Sequence, residues 1–226
     1  MAPRRQFLFS TVATKVLIAA AGLSLVGFLC VHLAGNLLLY VGPATFNAYS
    51  HALISNPFVV PLELGLVALF VVHVLQAVTM WWTDRDARPV AYQVKRPAGG
   101  RSRKSLASSW MIVTGPILFV FVAVHVATMK YGAWYVTDIH GAEGRDLFRL
   151  VQETFRQPWW LVFYLPGLAA AGFHLWHGFS SAFESLGLHG PRFTPKVLAA
   201  GKALAVLVGL GFLSLPIWMF FIGGRS

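Results

Sequence analysis

Five apolar runs, near residues 14–40, 57–82, 106–129, 158–182 and 197–222, dominate this 226-residue chain. Each is long enough to cross a hydrocarbon core, which takes about 20 residues of helix. A backbone in lipid has to satisfy its own N–H and C=O groups, so only helices and closed barrels qualify. The runs lack the polar–apolar alternation of a barrel strand, which leaves helices. Composition agrees, with 57% of residues hydrophobic and 12% charged, where a soluble domain carries about a quarter charged. The expected fold is an all-α integral membrane protein, a five-helix transmembrane bundle forming a single domain over 1–226.

The formal net charge of +10 does not point to nucleic acid, because the basic residues lie between the apolar runs rather than on a soluble face. They separate by side instead. The N-terminus (Arg4, Arg5, Lys15), the second connection (Arg85, Arg88, Lys95, Arg96, Arg101, Arg103, Lys104) and the fourth (Arg192, Lys196, Lys202) hold thirteen of the eighteen. Lys130, Arg145, Arg149, Arg156 and Arg225 fall on the other side. The positive-inside rule then puts the N-terminus in the cytoplasm and the C-terminus outside. The second connection, "TDRDARPVAYQVKRPAGGRSRKS", reads first as that topology signal and second as a basic dock for a soluble partner or anionic membrane lipids. The start, "PRRQFLFS", resembles a twin-arginine export signal, but the first run outlasts such a signal's apolar region and contains His32 and Asn36. The one cysteine, Cys30, allows neither a disulfide nor a thiolate cluster and reads as a small buried hydrophobe.

Eight histidines are present, of which His51, His140 and His189 fall in connections while His32, His73, His125, His174 and His177 lie within runs. Depth along a helix follows from its rise of about 1.5 Å per residue. His32 is about 25 Å along the first run and His125 about 28 Å along the third, both from the cytoplasmic end, which places both in the outer half. The second and fourth runs descend from Pro57 and Pro158, and His73 and His174 each follow their proline by sixteen residues. Both therefore reach the inner half. Two levels emerge, each with a histidine pair, drawn from four helices.

Two imidazoles facing each other from neighbouring helices are what a six-coordinate haem b requires. Four histidines matched in level two by two thus read as two haem b sites, His32 with His125 outside and His73 with His174 inside. The bland reading of any one of them is a hydrogen bond to a neighbouring helix or a place on a proton path, as in a haem-free proton-coupled transporter. A zinc site would gather three or four ligands at one level, and no acid lies near these positions in sequence.

The segments "VHLAGNLLLYVGPATFNAYSHAL", "LELGLVALFVVHVLQA", "VAVHVATM" and "GFHLWHGFSSAFESLGL" resemble the five-helix, dihaem cytochrome b membrane anchors of succinate dehydrogenases and fumarate reductases. The resemblance covers essentially the whole chain, and the last segment is its most specific part. It implies a multi-pass subunit of the bacterial cytoplasmic membrane. Its outer haem would be held by His32 and His125, and its inner haem by His73 and a histidine of "HLWHG". The family's ligand there precedes a glycine by four residues, as His174 does Gly178. His177, on the same helix face, then sits near the porphyrin edge as a propionate or quinone partner, or is an interfacial histidine bonded to backbone or water; the reverse assignment stays open. The resemblance also implies a succinate-oxidising flavoprotein partner, an iron–sulfur partner docked on the cytoplasmic side, and a quinone, menaquinone in dihaem members, as electron acceptor. No succinate-oxidising site is expected in this chain. Another dihaem cytochrome b, the membrane subunit of a hydrogenase or formate dehydrogenase, would share the haems and differ in partner.

The quinone has two candidate regions. At the outer level stand Asn47, Tyr49 and His51 of "FNAYSHAL" together with Glu63, about 9 Å into the second run from Pro57. Glu63 reads either as a proton relay or as a carboxylate favoured by a helix N-terminus. At the inner level stand Trp176 and His177. Some fumarate reductases of this type carry a glutamate two residues before the fourth ligand; here Gly172 occupies that position, which favours succinate oxidation. Gly172 and Gly178 read either as room for the macrocycle or as helix packing. Trp81, Trp82, Trp134, Trp159 and Trp160 read as interfacial belts. The outer connection of residues 130–157, with Asp138, Glu143, Arg145, Asp146, Arg149, Glu153 and Arg156, reads as a solvated cap.

Overall fold

The computed structural model describes residues 11–87 and 106–223. The twin-arginine stretch and most of the basic second connection lie outside the described residues. Five long helices run through the rest: α1 (Thr11–Asn36, extended by a 3-10 turn Leu37–Tyr40), α3 (Val59–Asp86), α4 (Leu106–His125), α6 (Pro158–Ser185) and α7 (Thr194–Phe221). Two shorter helices, α2 (Pro43–Ile54) and α5 (Leu147–Phe155), and an antiparallel hairpin, β1 (Val136–Ile139) with β2 (Ala142–Arg145), fill the first and third connections.

Start and stop signals are local. Pro43 and Pro158 open α2 and α6, where the missing N–H costs nothing and the fixed φ fits. Gly187, at φ 76°, closes α6. Its N–H donates to the Glu184 carbonyl at 3.1 Å and that of Leu188 to Phe183 at 2.9 Å, a Schellman turn that glycine adopts without a Cβ clash. α4 passes directly after His125 into a π-helical turn, Val126–Lys130.

Among the described residues, four helices are long and apolar enough to cross a membrane: Val12–Tyr40, Val59–Asp86, Ser109–Lys130 and Thr194–Phe221. α6 matches them in length at 28 residues, but its tryptophans, histidines, serines and prolines dilute its hydropathy. Its place accounts for this composition, since it packs against α1, α4 and α7 at once. At the α6–α7 seam, a Cβ on Gly172 would lie 3.7 Å from both the Ala205 carbonyl oxygen and the Gly209 Cα, so small residues bring the two backbones together. Gly172 is therefore a packing glycine. A Cβ on Gly178 would meet nothing within 4 Å.

α3, α1, α6 and α4 form an arc in which each helix packs on the next, while α3 and α4, at its two ends, barely meet along their backbones among the described residues. Phe70 and Phe119 bridge that gap, their rings stacked with centroids 6.2 Å apart. The bundle thus has an open seam and two diagonals, α1 to α4 and α3 to α6.

The connection of residues 130–157 keeps Asp138, Glu143, Arg149 and Arg156 exposed, as a solvated cap requires, yet it is also a folded unit. α2 packs on both the hairpin and α5, and α5 turns Phe148, Val151 and Phe155 inward against Phe46, Leu39, Leu215 and Met219 and buries Leu150 as well. Each such side chain contributes about 1.5–3 kcal/mol on burial from water. Asn47 ties the pieces, with Nδ2 donating to Asp146 at 2.8 Å and Oδ1 accepting the Phe148 N–H at 2.9 Å. Asp146 in turn caps α5 by accepting the Arg149 N–H at 3.0 Å. Arg145 is buried rather than solvated, and burial pulls its pKa down. Cys30, expected to be buried, faces outward from α1.

Candidate functional site

The two diagonals carry the histidines. His32 on α1 and His125 at the end of α4 stand with ring centroids 5.9 Å apart at 80°. His73 on α3 and His174 on α6 stand 6.2 Å apart at 71°. An iron held by two imidazole nitrogens at about 2 Å each separates the ring centres by about 6 Å. Each diagonal therefore offers the spacing and the two nitrogen donors that a porphyrin leaves open on its iron.

The levels are separate. Gly22, whose Cβ would lie 3.3 Å from His73, precedes His32 on α1 by ten residues. Thr114, beside His174, precedes His125 on α4 by eleven, and Tyr164, beside His125, precedes His174 on α6 by ten. Three helices thus give the same interval of about 15–17 Å along the bundle.

Hydrogen bonds orient three of the four rings. His73 Nδ1–H donates to the Ile18 carbonyl at 3.4 Å. Thr114 Oγ1 gives its proton to the Trp110 carbonyl at 3.0 Å, so at 3.1 Å it can only accept from His174 Nδ1–H. His125 Nδ1 lies 3.3 Å from the Tyr164 hydroxyl. In each case the bond occupies Nδ1 and leaves the Nε2 lone pair for a metal, the arrangement that metal-bound histidines adopt. His32 is held by packing instead, stacked on Phe28 at 5.2 Å and against Phe212 at 5.7 Å. The Asn36 amide nitrogen lies 3.4 and 3.5 Å from its two ring nitrogens but makes its good bond, at 2.8 Å, to the His32 carbonyl.

The other residues singled out from the sequence fall in three places. His177 is half-buried, and the ring opposite His73 belongs to His174. Trp176 lies about 200° around α6 from His174; it stacks on Phe173 and sits 5.6 Å beneath the Lys202 ammonium, turned away from the histidine diagonal. Beyond the His32–His125 pair, Tyr49 covers Gly35 so closely that a Cβ there would lie 2.7 Å from its hydroxyl, one turn past His32. Glu63 pairs with Lys130, at the end of the π turn. His51 leans on the hairpin, with Nδ1 3.0 Å from where a Gly144 Cβ would be. Asn47 is consumed by the cap contacts described above. His140 is exposed at the hairpin turn with φ 55°.

Thr114, Tyr164, Lys130 and Arg145 had no sequence signal. Serine-like and aromatic residues are ordinary in spans, and only a count back from His125 and His174 would have put Thr114 and Tyr164 at the opposite pair's level. Comparison with known proteins brought no match: no family model, no curated protein and no solved structure matches this chain.

Proposed function

We propose that this chain is the dihaem cytochrome b membrane anchor of a bacterial succinate:quinone oxidoreductase, crossing the cytoplasmic membrane five times with its N-terminus in the cytoplasm and its C-terminus outside. The observation that carries the reading is the pair of histidine diagonals, two levels about 15 Å apart on four helices, each with ring centres near 6 Å. His32 and His125 would hold the outer haem b, and His73 and His174 the inner one. Bound there, the two haems supply one-electron carriers across the membrane's thickness.

The chain's own residues hold and insulate. Ile18, Thr114 and Tyr164 fix three imidazoles as Nε2 ligands, and their acceptors increase the rings' donor strength. Phe28, Phe121 and Phe212 surround the outer pair and keep water from it. Electrons from succinate enter through a flavoprotein and an iron–sulfur partner on the cytoplasmic side and leave to a membrane quinone, menaquinone in this reading. The outer end offers the quinone Tyr49, His51 and the Glu63–Lys130 pair, while Gly172 leaves no carboxylate for a proton path along α6.

The test is a reduced-minus-oxidised visible spectrum of the complex purified from its native membrane, with haem b extracted and counted per chain. Two haems and co-purifying succinate-oxidising activity are expected. A folded chain without haem removes the reading altogether, and two haems with a different partner enzyme remove its succinate part.

A further inference from the structure

Tyr164 is neither an iron ligand nor a quinone contact in that reading, yet its hydroxyl meets the outer diagonal from a third helix, 3.3 Å from His125 Nδ1. It is 3% exposed, and its ring is fixed edge-on by Phe155 at 4.9 Å, Phe121 at 5.3 Å and Phe163 at 5.8 Å. Phe121 also stacks on His125 at 5.8 Å, so one aromatic block holds both rings. A buried phenol in such a block needs partners for both its proton and its lone pairs.

The phenol oxygen lies 3.3 Å from His125 Nδ1. With Nε2 facing His32 as an iron ligand, the neutral ring keeps its proton on Nδ1, so the phenol oxygen accepts it. The bond ties α6 to the last residue of α4, directly before the π turn Val126–Lys130, a local geometry that recurs at functional sites.

From this bond and the block that fixes it we infer that Tyr164 is a positioning residue that holds the orientation and donor strength of His125, and through it the potential of the outer site alone. The inference rests on the dihaem reading. An acceptor on Nδ1–H makes the opposite nitrogen a stronger donor and favours the more highly charged metal. Removing the acceptor should therefore make the outer site easier to reduce. The inner pair takes its acceptors from Ile18 and Thr114 and does not share this bond.

The experiment is a redox titration of the purified complex followed at the haem bands, on the parent, Tyr164→Phe and Tyr164→Met, neither of which offers His125 a phenol oxygen. Tyr164→Phe keeps the aromatic block, and the expected result is two haems per chain, an upward shift of the outer midpoint and an unmoved inner one. Tyr164→Phe with both midpoints unmoved, or both moved equally, overturns the inference and leaves the dihaem reading standing. A parent chain without haem overturns both. Should Tyr164→Phe fail to fold, Tyr164→Met decides: an outer midpoint equal to the parent's also overturns it.

Discussion

Replacing Arg145 by methionine tests whether the outer cap is a folded lid rather than a solvated connection. Methionine keeps an apolar stem against Trp134, whose ring lies 5.0 Å from the guanidinium carbon. It deletes the donors: Nη1 to the Lys130 carbonyl at 3.0 Å, and Nη2 to Met129 at 3.2 Å, Ala133 at 3.3 Å and Gly132 at 3.4 Å. These are the orphan carbonyls at the end of α4 and its π turn, and a cation there also suits the helix dipole. Two short charge-assisted bonds contribute about 1.5–3 kcal/mol each, and the two longer ones, sharing one nitrogen, add little. Against this, the variant no longer buries a guanidinium whose Nε has no partner, which offsets about 1–3 kcal/mol. The net loss is about 2–3 kcal/mol. Because the cap can open as a local unit, the loss should be read locally, as amide hydrogen exchange over residues 136–145 in nanodiscs. A loss of that size corresponds to about 30- to 140-fold faster exchange, at tenfold for each 1.4 kcal/mol. Exchange within threefold of the parent would falsify the account of Arg145 as the clasp of this cap.

Leucine at His32 or His125 should remove one haem and leave the other, leucine at His73 or His174 should do the same at the inner level, and His177→Leu should retain both; haem extraction and low-temperature spectra of the inserted variants check this, and loss of both haems in equal amount from any single variant sinks the pairing. Gly167→Val places a Cβ 2.3 Å from Phe121, which stacks on His125. Overpacking of this kind costs about 1–3 kcal/mol, so the melting temperature should fall and the outer haem be lost first on heating; parent-like melting counts against the packing. Glu63→Gln breaks an ion pair whose side chains are 43% and 42% exposed, so stability should change by less than about 1 kcal/mol, while quinone reduction should slow if the outer end hosts the quinone. Tyr135 and Arg149 hydrogen-bond Glu153 and hold its carboxyl below the usual range, and the same contact raises the Tyr135 hydroxyl. The carboxylate form favours the folded cap, so its support is present above pH 4.5 and fades as pH falls through the lowered value; the phenol's is present below pH 10 and fades above it. Glu153→Gln should flatten the acid limb of the hairpin's exchange profile, and an unchanged limb refutes the link.

Depth was legible in the sequence because helix rise is constant. Counting residues from Pro57, Pro158 and the cytoplasmic ends was enough to sort His32, His125, His73 and His174 into two levels. Run lengths likewise anticipated α1, α3, α4, α6 and α7 to within a few residues. Azimuth was less legible. Trp176 and His174 are two apart and share a level, yet they point to opposite sides of α6, one to Lys202 and one to His73. Arg145 looked like any other charge of a solvated connection.

The sequence alone determined what depends on one segment at a time: that the chain is apolar enough for lipid, that its backbone must be helical there, and how far along its helix each imidazole sits. Tertiary structure decided what depends on which segments meet. Only packing of α2, the hairpin and α5 could bury Arg145 under the carbonyls of α4, and only the approach of α6 to α4 could set Tyr164 against His125 and Thr114 against His174. The physical reason is that helical rise is a local property of the backbone, whereas a hydrogen bond between helices requires both partners to be placed within a few tenths of an ångström. That placement is set by side-chain packing at seams such as Gly172 on Gly209 and Gly167 on Phe121.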